Sequence, residues 1–201
     1  MLKFAVFASG AGSNLQAIID AVKSGEIKAE LALVFSDKEK ALALKRAQEA
    51  GIKTLHLNRK DYATPQSYER DIVIRLKEGG IDFIVLAGYM KLLTGYFIRE
   101  YPRKILNVHP SLLPSFKGLH GIKDAFTYGV KVTGATIHIV DDKMDHGPIL
   151  SQEAIKVKED DTLESLTEKI HHLEHRLYPQ AISFFVDDKF KIGARKAKIQ
   201  K

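Results

Sequence analysis

Residues 2–19 read LKFAVFASGAGSNLQAII, and this stretch constrains the fold more than any other part of the chain. Its first part, Leu2–Ala8, is a continuous apolar run, which is the pattern of a strand that is buried on both faces. A glycine-containing loop follows. Asn14–Lys23 then places apolar side chains at helical spacing, with Ser13 or Asn14 available as the N-cap. A buried strand that turns directly into a helix is typical of the first unit of a parallel α/β sheet.

The alternation of apolar runs and helical patterns continues along the first half of the chain. Further strands are predicted at Glu30–Phe35, Lys53–Leu57, Ile81–Ala87 and Ile105–Val108. Helices are predicted over Ala41–Ala50, Thr64–Glu78 and Leu92–Tyr101. Repeated strand–helix–strand units imply a parallel sheet with helices on both of its faces.

The second half of the chain follows a different pattern. Gly134–Val140 and Ile149–Val157 are extended segments with no long helix between them, which indicates an antiparallel edge to the sheet. A helix is predicted over Thr162–Tyr178, where Pro179 is expected to end or kink it. The predicted fold class is therefore α/β: a Rossmann-like, mostly parallel sheet with helices on both faces and an antiparallel edge, in a single domain covering residues 1–201.

The composition of the 201-residue chain is that of a soluble globular protein, with 45% hydrophobic and 28% charged residues. The chain has no cysteine, which excludes disulfides, thiolate metal ligands and cysteine nucleophiles. No apolar run approaches the roughly 18 residues that a membrane helix needs. The run Phe4–Ala8 is too short for the core of a signal peptide. We therefore expect a cytoplasmic protein with no membrane partner.

The net charge of +6 fits either an ordinary basic surface or the attraction of an anionic small molecule. A basic, flexible tail is predicted from about residue 193. No aromatic residues are interleaved with its basic ones, so a nucleic-acid partner is not expected. The basic residues after Asp188 are Lys189, Lys191, Arg195, Lys196, Lys198 and Lys201.

The glycine loop, Gly10–Asn14, lies between the first strand and the first helix. Glycines let backbone N–H groups approach a ligand closely, and a helix N-terminus favours negative charge, so a phosphate is the natural guest. A tight strand–helix turn that needs glycine only for its geometry, and binds no ligand, would show the same sequence pattern. Leu15 stands where the third glycine of a dinucleotide-binding fingerprint would be, and no Walker A pattern occurs in the chain. The loop therefore favours a phosphorylated metabolite over NAD or ATP.

Asn107 and His109 lie at the end of the strand predicted at Ile105–Val108. Strand alternation places these two side chains on the same face, with Val108 on the other. An amide that can hold a developing oxyanion beside an imidazole that can move a proton suits attack on a carbonyl carbon. A strand that ends in a polar loop, with its histidine bonded only to backbone, is the alternative interpretation.

Three motifs in order resemble one enzyme family: SGAGSN at residues 9–14, NVHPSLLP at 107–114 and MDHGPI at 144–149. The chain is similar over essentially its whole length to the phosphoribosylglycinamide formyltransferases of purine biosynthesis. The resemblance implies the formyltransferase fold and transfer of a formyl group from 10-formyltetrahydrofolate to the amine of 5-phosphoribosylglycinamide. It also implies small-molecule partners, in a monomer or homodimer.

The family's functional residues carry over to matching positions. Asn107 would bind the formyl oxygen and His109 would hydrogen-bond the oxyanion. Asp145 would raise the pKa of His109 and position a water that relays protons, although an aspartate before Gly-Pro is also an ordinary turn residue. His138 would either support Asp145 or be a satisfied core histidine. The resemblance assigns substrate binding to Gly12, Ser13, Asn14 and Glu174, and folate binding to Met90, Lys91, Leu92, Leu93 and Asn107.

The chain departs from the family pattern at two places. Pro65 stands where some relatives carry a basic residue for the folate tail, so that contact is either lost or supplied by Lys60 or Lys91. Lys117 stands where proline is more usual, which affects the expected shape of the loop. His171 and His175 have metal-ligand spacing, but no further ligands accompany them and no metal is expected. Some relatives have glutamine at His171, which could contact the phosphate.

Two other functions are compatible with these motifs. One is a different enzyme of the same fold, acting on methionyl-tRNA or hydrolysing formylfolate. Those enzymes add a C-terminal or an N-terminal domain, and we expect neither in this chain. The other is a binding protein for a phosphorylated metabolite that has lost its chemistry, against which the set Asn107, His109 and Asp145 argues.

Overall fold

A seven-stranded sheet forms the centre of the protein in the computed structural model, which describes residues 1–193 and 196–200. Its strands in chain order are β1 (Lys3–Phe7), β2 (Glu30–Ser36), β3 (Lys53–His56), β4 (Phe83–Leu86), β5 (Ile105–His109), β6 (Val132–Ile139) and β7 (Ile149–Lys156). Their spatial order is β3-β2-β1-β4-β5-β6-β7. The five strands β1 to β5 are parallel, and β6 and β7 extend the sheet antiparallel. The predicted fold class is confirmed.

Six α-helices accompany the strands in the described part of the chain. They are α1 (Ser13–Lys23), α2 (Leu42–Glu49), α3 (Pro65–Glu78), α4 (Gly95–Glu100), α5 (Gly121–Tyr128) and α6 (Leu163–Val186), and a short 3-10 helix lies at Arg59–Asp61. Two separate apolar clusters show that both faces of the sheet are covered. One cluster contains buried side chains from α1, α2 and α6, and the other contains buried side chains from α3 and α4.

Strand alternation sorts the sheet residues between these two clusters. Phe4 and Val6 of β1 pack with α1 and α6, whereas Ala5 and Phe7 pack with α3 and α4. The strands β1, β4 and β5 have few polar residues because both of their faces are buried. The polar residues Asn107 and His109 near the end of β5 depart from this pattern, which indicates a functional role.

Helix α6 is longer than the sequence pattern predicted. Thr162 caps it with a capping box, as expected, but the helix runs on through Pro179 to Val186. The prediction that the helix ends at Pro179 is therefore wrong. Tertiary packing outweighs the missing proline N–H, because Tyr178, Ala181 and Ile182 are all buried. The Tyr178 hydroxyl also lies 3.0 Å from the carbonyl oxygens of both Leu86 and Leu106.

Two further helices, α5 and α4, differ from the prediction. Helix α5 was not predicted, because it begins at a glycine and only Gly121 and Ala125 are buried along it. Helix α4 was predicted to start at Leu92 but starts at Gly95. The difference arises because Glu69 accepts a hydrogen bond of 2.9 Å from the Thr94 N–H and so fixes the start of the helix.

The C-terminal segment adds a short hairpin. Strand β8 (Phe190–Ile192) pairs antiparallel with β9 (Ala197–Ile199). The sequence predicted a frayed tail from about residue 193, and the described residues of that tail instead include a paired strand. Residues 194, 195 and 201, which include the basic Arg195 and Lys201, lie outside the described residues. The extent of the single domain and the flexibility of the tail stay predictions.

Candidate active site

A cavity of about 510 Å³ opens at the carboxyl ends of the parallel strands. The strand order reverses between β1 and β4, and in open α/β sheets ligands bind outside the strand ends at such a point. Every residue that the sequence analysis assigned to the site lines this cavity, although the roles of those residues stay predictions. They are Gly12, Ser13, Asn14, Met90, Lys91, Leu92, Leu93, Asn107, His109, Asp145 and Glu174.

Pairing between β5 and β6 builds the polar centre of the cavity. Asn107 lies opposite His138 in the antiparallel register, and the Nδ2 atom of Asn107 is 3.1 Å from the Nε2 atom of His138. Asp145 follows β6 in the next loop. One of its carboxylate oxygens is 3.4 Å from the Nδ1 atom of His109, and the other is 3.7 Å from the Nε2 atom of His138. The sheet thus places an amide, two imidazoles and a carboxylate in one cluster.

The backbone around this cluster defines where the ring hydrogens lie. The Nε2 atom of His109 is 2.8 Å from the Phe116 carbonyl oxygen, which can only accept, so Nε2 carries a hydrogen. The Nδ1 atom of His138 donates in the same way to the Ile139 carbonyl at 2.9 Å. In neutral His138, Nε2 then accepts a hydrogen from Asn107. The second hydrogen of the Asn107 amide stays available to a ligand.

The pKa of His109 is shifted downward, which differs from the expectation. Burial lowers the pKa because it disfavours the charged ring, and this effect exceeds the rise that the Asp145 charge causes. The predicted influence of Asp145 therefore exists but does not dominate. The imidazole therefore gives up its proton more readily than a free histidine does, and its Nδ1 atom faces the carboxylate.

Asp145 is held as a carboxylate by the groups around it. Burial by itself would raise its pKa. The nearby ring of His138 and the Gly118 N–H, which donates at 2.8 Å, lower the pKa below its ordinary value, as does the ring of His109. The backbone of Asp145 has a φ of 47°, a left-handed conformation that aspartate tolerates better than most residues. The loop therefore orients this side chain at some conformational cost.

The glycine loop forms another part of the cavity. Gly12 is the N-cap of α1, with a φ of 74°, so the prediction of Ser13 or Asn14 as N-cap is wrong. A side chain at Gly12 would meet Ala43 at 2.9 Å, and only glycine permits this close approach of α2. Because no side chain caps α1, its first N–H groups are open to an anion.

Glu174 of α6 lies beside this loop, although 160 residues separate it from Asn14 in the chain. The Asn14 Nδ2 atom donates to the carboxylate of Glu174 at 2.9 Å. Burial raises the pKa of Glu174 to about 7, against the smaller, lowering effect of that hydrogen bond. The Oδ1 atom of Asn14 is buried and has no hydrogen-bond partner among the described residues. This oxygen can therefore still accept a hydrogen bond from a ligand.

The segment Gly88–Leu93, called here the 88–93 wall, contributes exposed apolar side chains to the cavity. Met90 is 52% exposed and Leu92 is 75% exposed, unusual values for large apolar residues at a concave surface. Of the two lysines considered as replacements for the folate-tail contact at Pro65, Lys91 lines the cavity and Lys60 is not among its lining residues. The wall offers an apolar surface that a ring system could cover.

The helical histidines do not form a metal site in the part of the chain that is described. No group of three or more histidine, aspartate or glutamate side chains there is arranged to hold a metal ion. His171 lines the cavity, and its ring centroid is 6.3 Å from that of His175. Burial and the neighbouring His172 lower the pKa of His171.

Sequence reasoning missed the backbone groups of the site. The Phe116 carbonyl and the Gly118 N–H each contact one of the predicted catalytic residues. Main-chain groups occur at every residue, so the sequence contains no signal that singles these two out.

The fold and the cavity define an α/β enzyme of the formyltransferase type, and comparison with known proteins agrees. The family model described as Formyl transferase matches residues 2–182, and the chain belongs to that family. The predicted family and the predicted reaction class, formyl transfer, are confirmed.

Several relatives are similar over most of this chain. Phosphoribosylglycinamide formyltransferase of Bacillus subtilis is 44% identical, over 90% of this chain and 93% of the relative. Human trifunctional purine biosynthetic protein adenosine-3 is 40% identical over 95% of this chain, which spans 19% of that protein. The crystal structure of glycinamide ribonucleotide transformylase 1 from Symbiobacterium toebii has a TM-score of 0.97 and 41% identity, covering 100% of this chain and 95% of that one.

Proposed function

We propose that this enzyme transfers the formyl group of 10-formyltetrahydrofolate to the amine of 5-phosphoribosylglycinamide. The observation that carries the proposal is the meeting of Asn107, His109 and Asp145 in one cavity, together with the glycine loop and the 88–93 wall. The names of the relatives support the choice of the phosphorylated acceptor. The exposed Met90 and Leu92 support a co-substrate with an apolar ring system.

The glycine loop and α6 hold the acceptor in this proposal. The open N–H groups at the start of α1 bind the phosphate, with Gly12 permitting the close approach. Glu174 accepts hydrogen bonds from the ribose, and Asn14 orients the glutamate. This arrangement places the glycinamide amine toward the polar centre.

The polar centre activates the formyl carbon and moves the proton. 10-Formyltetrahydrofolate, when bound, supplies the formyl carbon and takes the leaving electron pair at its N10 atom. The free hydrogen of the Asn107 amide binds the formyl oxygen, whose negative charge grows as the amine attacks.

His109 takes the proton that the amine loses as its nitrogen bonds to the formyl carbon. Its lowered pKa favours the uncharged ring, whose Nδ1 atom can accept a proton. Asp145, 3.4 Å from Nδ1, stabilises the resulting cation, which in turn offsets the charge on the oxygen. His109 then delivers the proton to N10 as the bond between the formyl carbon and N10 breaks.

The setting of the enzyme is also proposed. A chain with no cysteine suits the reducing cytoplasm, and its partners are small molecules rather than nucleic acid or membrane. No helix in the described residues is long and apolar enough to cross a membrane. We propose a monomer or a homodimer.

A direct assay tests the proposal against its two rivals within the fold. Purified protein is mixed with 10-formyltetrahydrofolate and 5-phosphoribosylglycinamide, and the appearance of tetrahydrofolate is followed. Parallel reactions contain methionyl-tRNA as acceptor or no acceptor. We expect turnover only with the phosphorylated amine. Turnover without acceptor would indicate a hydrolase, and no turnover in any reaction would favour a binding protein.

A further inference from the structure

We propose that Ser9, with Asp37 behind it, is a positioning residue that holds the 88–93 wall in shape for the co-substrate. This inference rests on the proposed function, because it assigns the wall to the folate side of the cavity. Ser9 follows β1, is only 2% exposed, and is not among the residues that line the cavity. Its side chain therefore acts on a ligand through neighbouring residues and not by direct contact.

Ser9 bonds to the wall at two points. Its backbone N–H donates to the Gly88 carbonyl at 3.0 Å, and its hydroxyl oxygen accepts a hydrogen bond of 3.0 Å from the Met90 N–H. These two contacts bracket Tyr89. One residue just after β1 thus fixes both sides of the turn by which the chain leaves β4.

Asp37 sets the direction of the serine hydroxyl. The hydroxyl donates to an Asp37 carboxylate oxygen at 2.6 Å, a short hydrogen bond that joins the end of β2 to the end of β1. Because the single hydroxyl hydrogen is committed to the carboxylate, a lone pair of Ser9 is left for the Met90 N–H. The carboxylate therefore specifies the serine as an acceptor.

The wall needs such a restraint. Gly88 has a φ of 72°, and the segment from Ala87 to Thr94 is neither strand nor helix. Its cavity-facing side chains Met90 and Leu92 are exposed and gain little from packing. The other restraints lie at its centre and its far end. The Tyr89 ring packs against Phe7 at 5.4 Å between centroids, and Glu69 holds Thr94.

Removal of the hydroxyl should therefore loosen only the folate side. In the variant Ser9→Ala, the Met90 N–H loses its acceptor. We expect the KM for 10-formyltetrahydrofolate to rise about tenfold, as for loss of one buried hydrogen bond. The KM for 5-phosphoribosylglycinamide and the kcat should stay within about twofold, because the glycine loop and the polar centre are held by other contacts. A general loss of structure would not separate the two KM values in this way.

Substitutions at the half-buried Asp37 test the same contact between Ser9 and Met90, because Asp37 holds the Ser9 hydroxyl. Asp37→Ala removes the acceptor of the serine hydroxyl and should raise the folate KM severalfold. Asp37→Asn keeps an acceptor oxygen and should restore a value near that of the unaltered enzyme. These variants also keep the test decisive if Ser9→Ala does not fold. Ser183→Ala is the matched control, since its hydroxyl donates to the Glu26 carbonyl and does not touch the wall.

Calorimetric titration with folic acid separates failure of this inference from failure of the proposed function. We expect the unaltered enzyme to bind folic acid and Ser9→Ala to bind it about tenfold more weakly. Equal binding by both, or an equal rise in both KM values, would overturn the role of Ser9 while leaving the function in place. If the unaltered protein neither bound folic acid nor turned over, the proposed function would fail and this inference with it.

Discussion

Asp145 and Glu174 are carboxylates in the same cavity, the first half-buried and the second buried, and their pKa values move in opposite directions. Asp145 accepts a hydrogen bond from the Gly118 N–H and lies beside the rings of His138 and His109, and these groups lower its pKa against the effect of burial. Burial raises the pKa of Glu174 to about 7, and Asn14 is its single hydrogen-bond donor among the described residues. The difference teaches that the charge of an acid in this site follows from the balance between its burial and the polar groups around it.

The contrast has a functional meaning within the proposed mechanism. Asp145, whose lowered pKa favours the carboxylate form, is suited to stabilise a cation on His109. A carboxyl group that is half protonated near pH 7 is suited to exchange hydrogen bonds with hydroxyl groups, because it can both donate and accept. The two acids therefore divide the work of one cavity between chemistry and binding.

The largest expected effect comes from removing the charge of Asp145. The isosteric variant Asp145→Asn cannot stabilise a cation on His109, and we expect kcat to fall on the order of 100-fold. Initial rates at saturating concentrations of both substrates measure the loss. Asp124→Asn, which removes the same charge from the exposed side of α5, should leave kcat unchanged. A kcat for Asp145→Asn within threefold of the unaltered enzyme would contradict the role of this carboxylate.

The pH dependence of stability tests the contrast without substrates. Because the pKa of Glu174 is raised above its ordinary value, the folded protein binds an extra proton between about pH 4.5 and 7. The stability that this extra proton gives to the folded state is fully present below about pH 4.5, and it is lost as the pH rises to about 7. Asp145 acts in the opposite sense, since its lowered pKa gives stability that is lost as the pH falls.

Urea unfolding across that pH range measures the effect of Glu174. The unfolding free energy of the unaltered protein should fall relative to that of Glu174→Gln as the pH rises, by on the order of 2 kcal/mol. Glu168→Gln, an exposed glutamate of the same helix, should follow the unaltered protein. Parallel curves for the unaltered protein and Glu174→Gln would mean that Glu174 titrates normally.

The smallest expected effect concerns Asn14, which donates a hydrogen bond to Glu174. Asn14→Ala removes the hydrogen bond that lowers the pKa of Glu174, so the titration should move upward by about half a pH unit to one unit. Carbon-13 NMR of the glutamate carboxyl groups follows this directly. Gln16→Ala, on the same helix, should leave the titration in place. A downward shift in Asn14→Ala would show that Asn14 disfavours the charged form.

Much of the fold could be predicted because the apolar runs of β1, β4 and β5 are buried on both faces and leave little ambiguity. Helix α5 and the β8–β9 hairpin could not be predicted, since their residues carry only weak local patterns and tertiary contacts determine their structure. The continuation of α6 past Pro179 was misjudged for a related reason. Local propensity favoured a break there, and buried packing overcame it.

The candidate site divides in the same way. Side chains such as Asn107, His109 and Asp145 could be chosen from the sequence because their chemistry and their family motifs mark them. The direction in which the pKa of His109 shifts could not be predicted, because it depends on the balance between burial and the effect of a carboxylate 36 residues away. The loop contacts from Phe116 and Gly118 were equally beyond reach.

Residue types and their spacing were enough to specify an α/β sheet, a family and the groups that could carry a formyl transfer. Distances and charge states came from the folded chain. The pairing of β5 with β6 places His138 against Asn107, and α6 brings Glu174 to Asn14 across 160 residues. The reason is that solvation and hydrogen bonding act over a few ångströms in space, and those neighbours exist only after long stretches of chain have folded together.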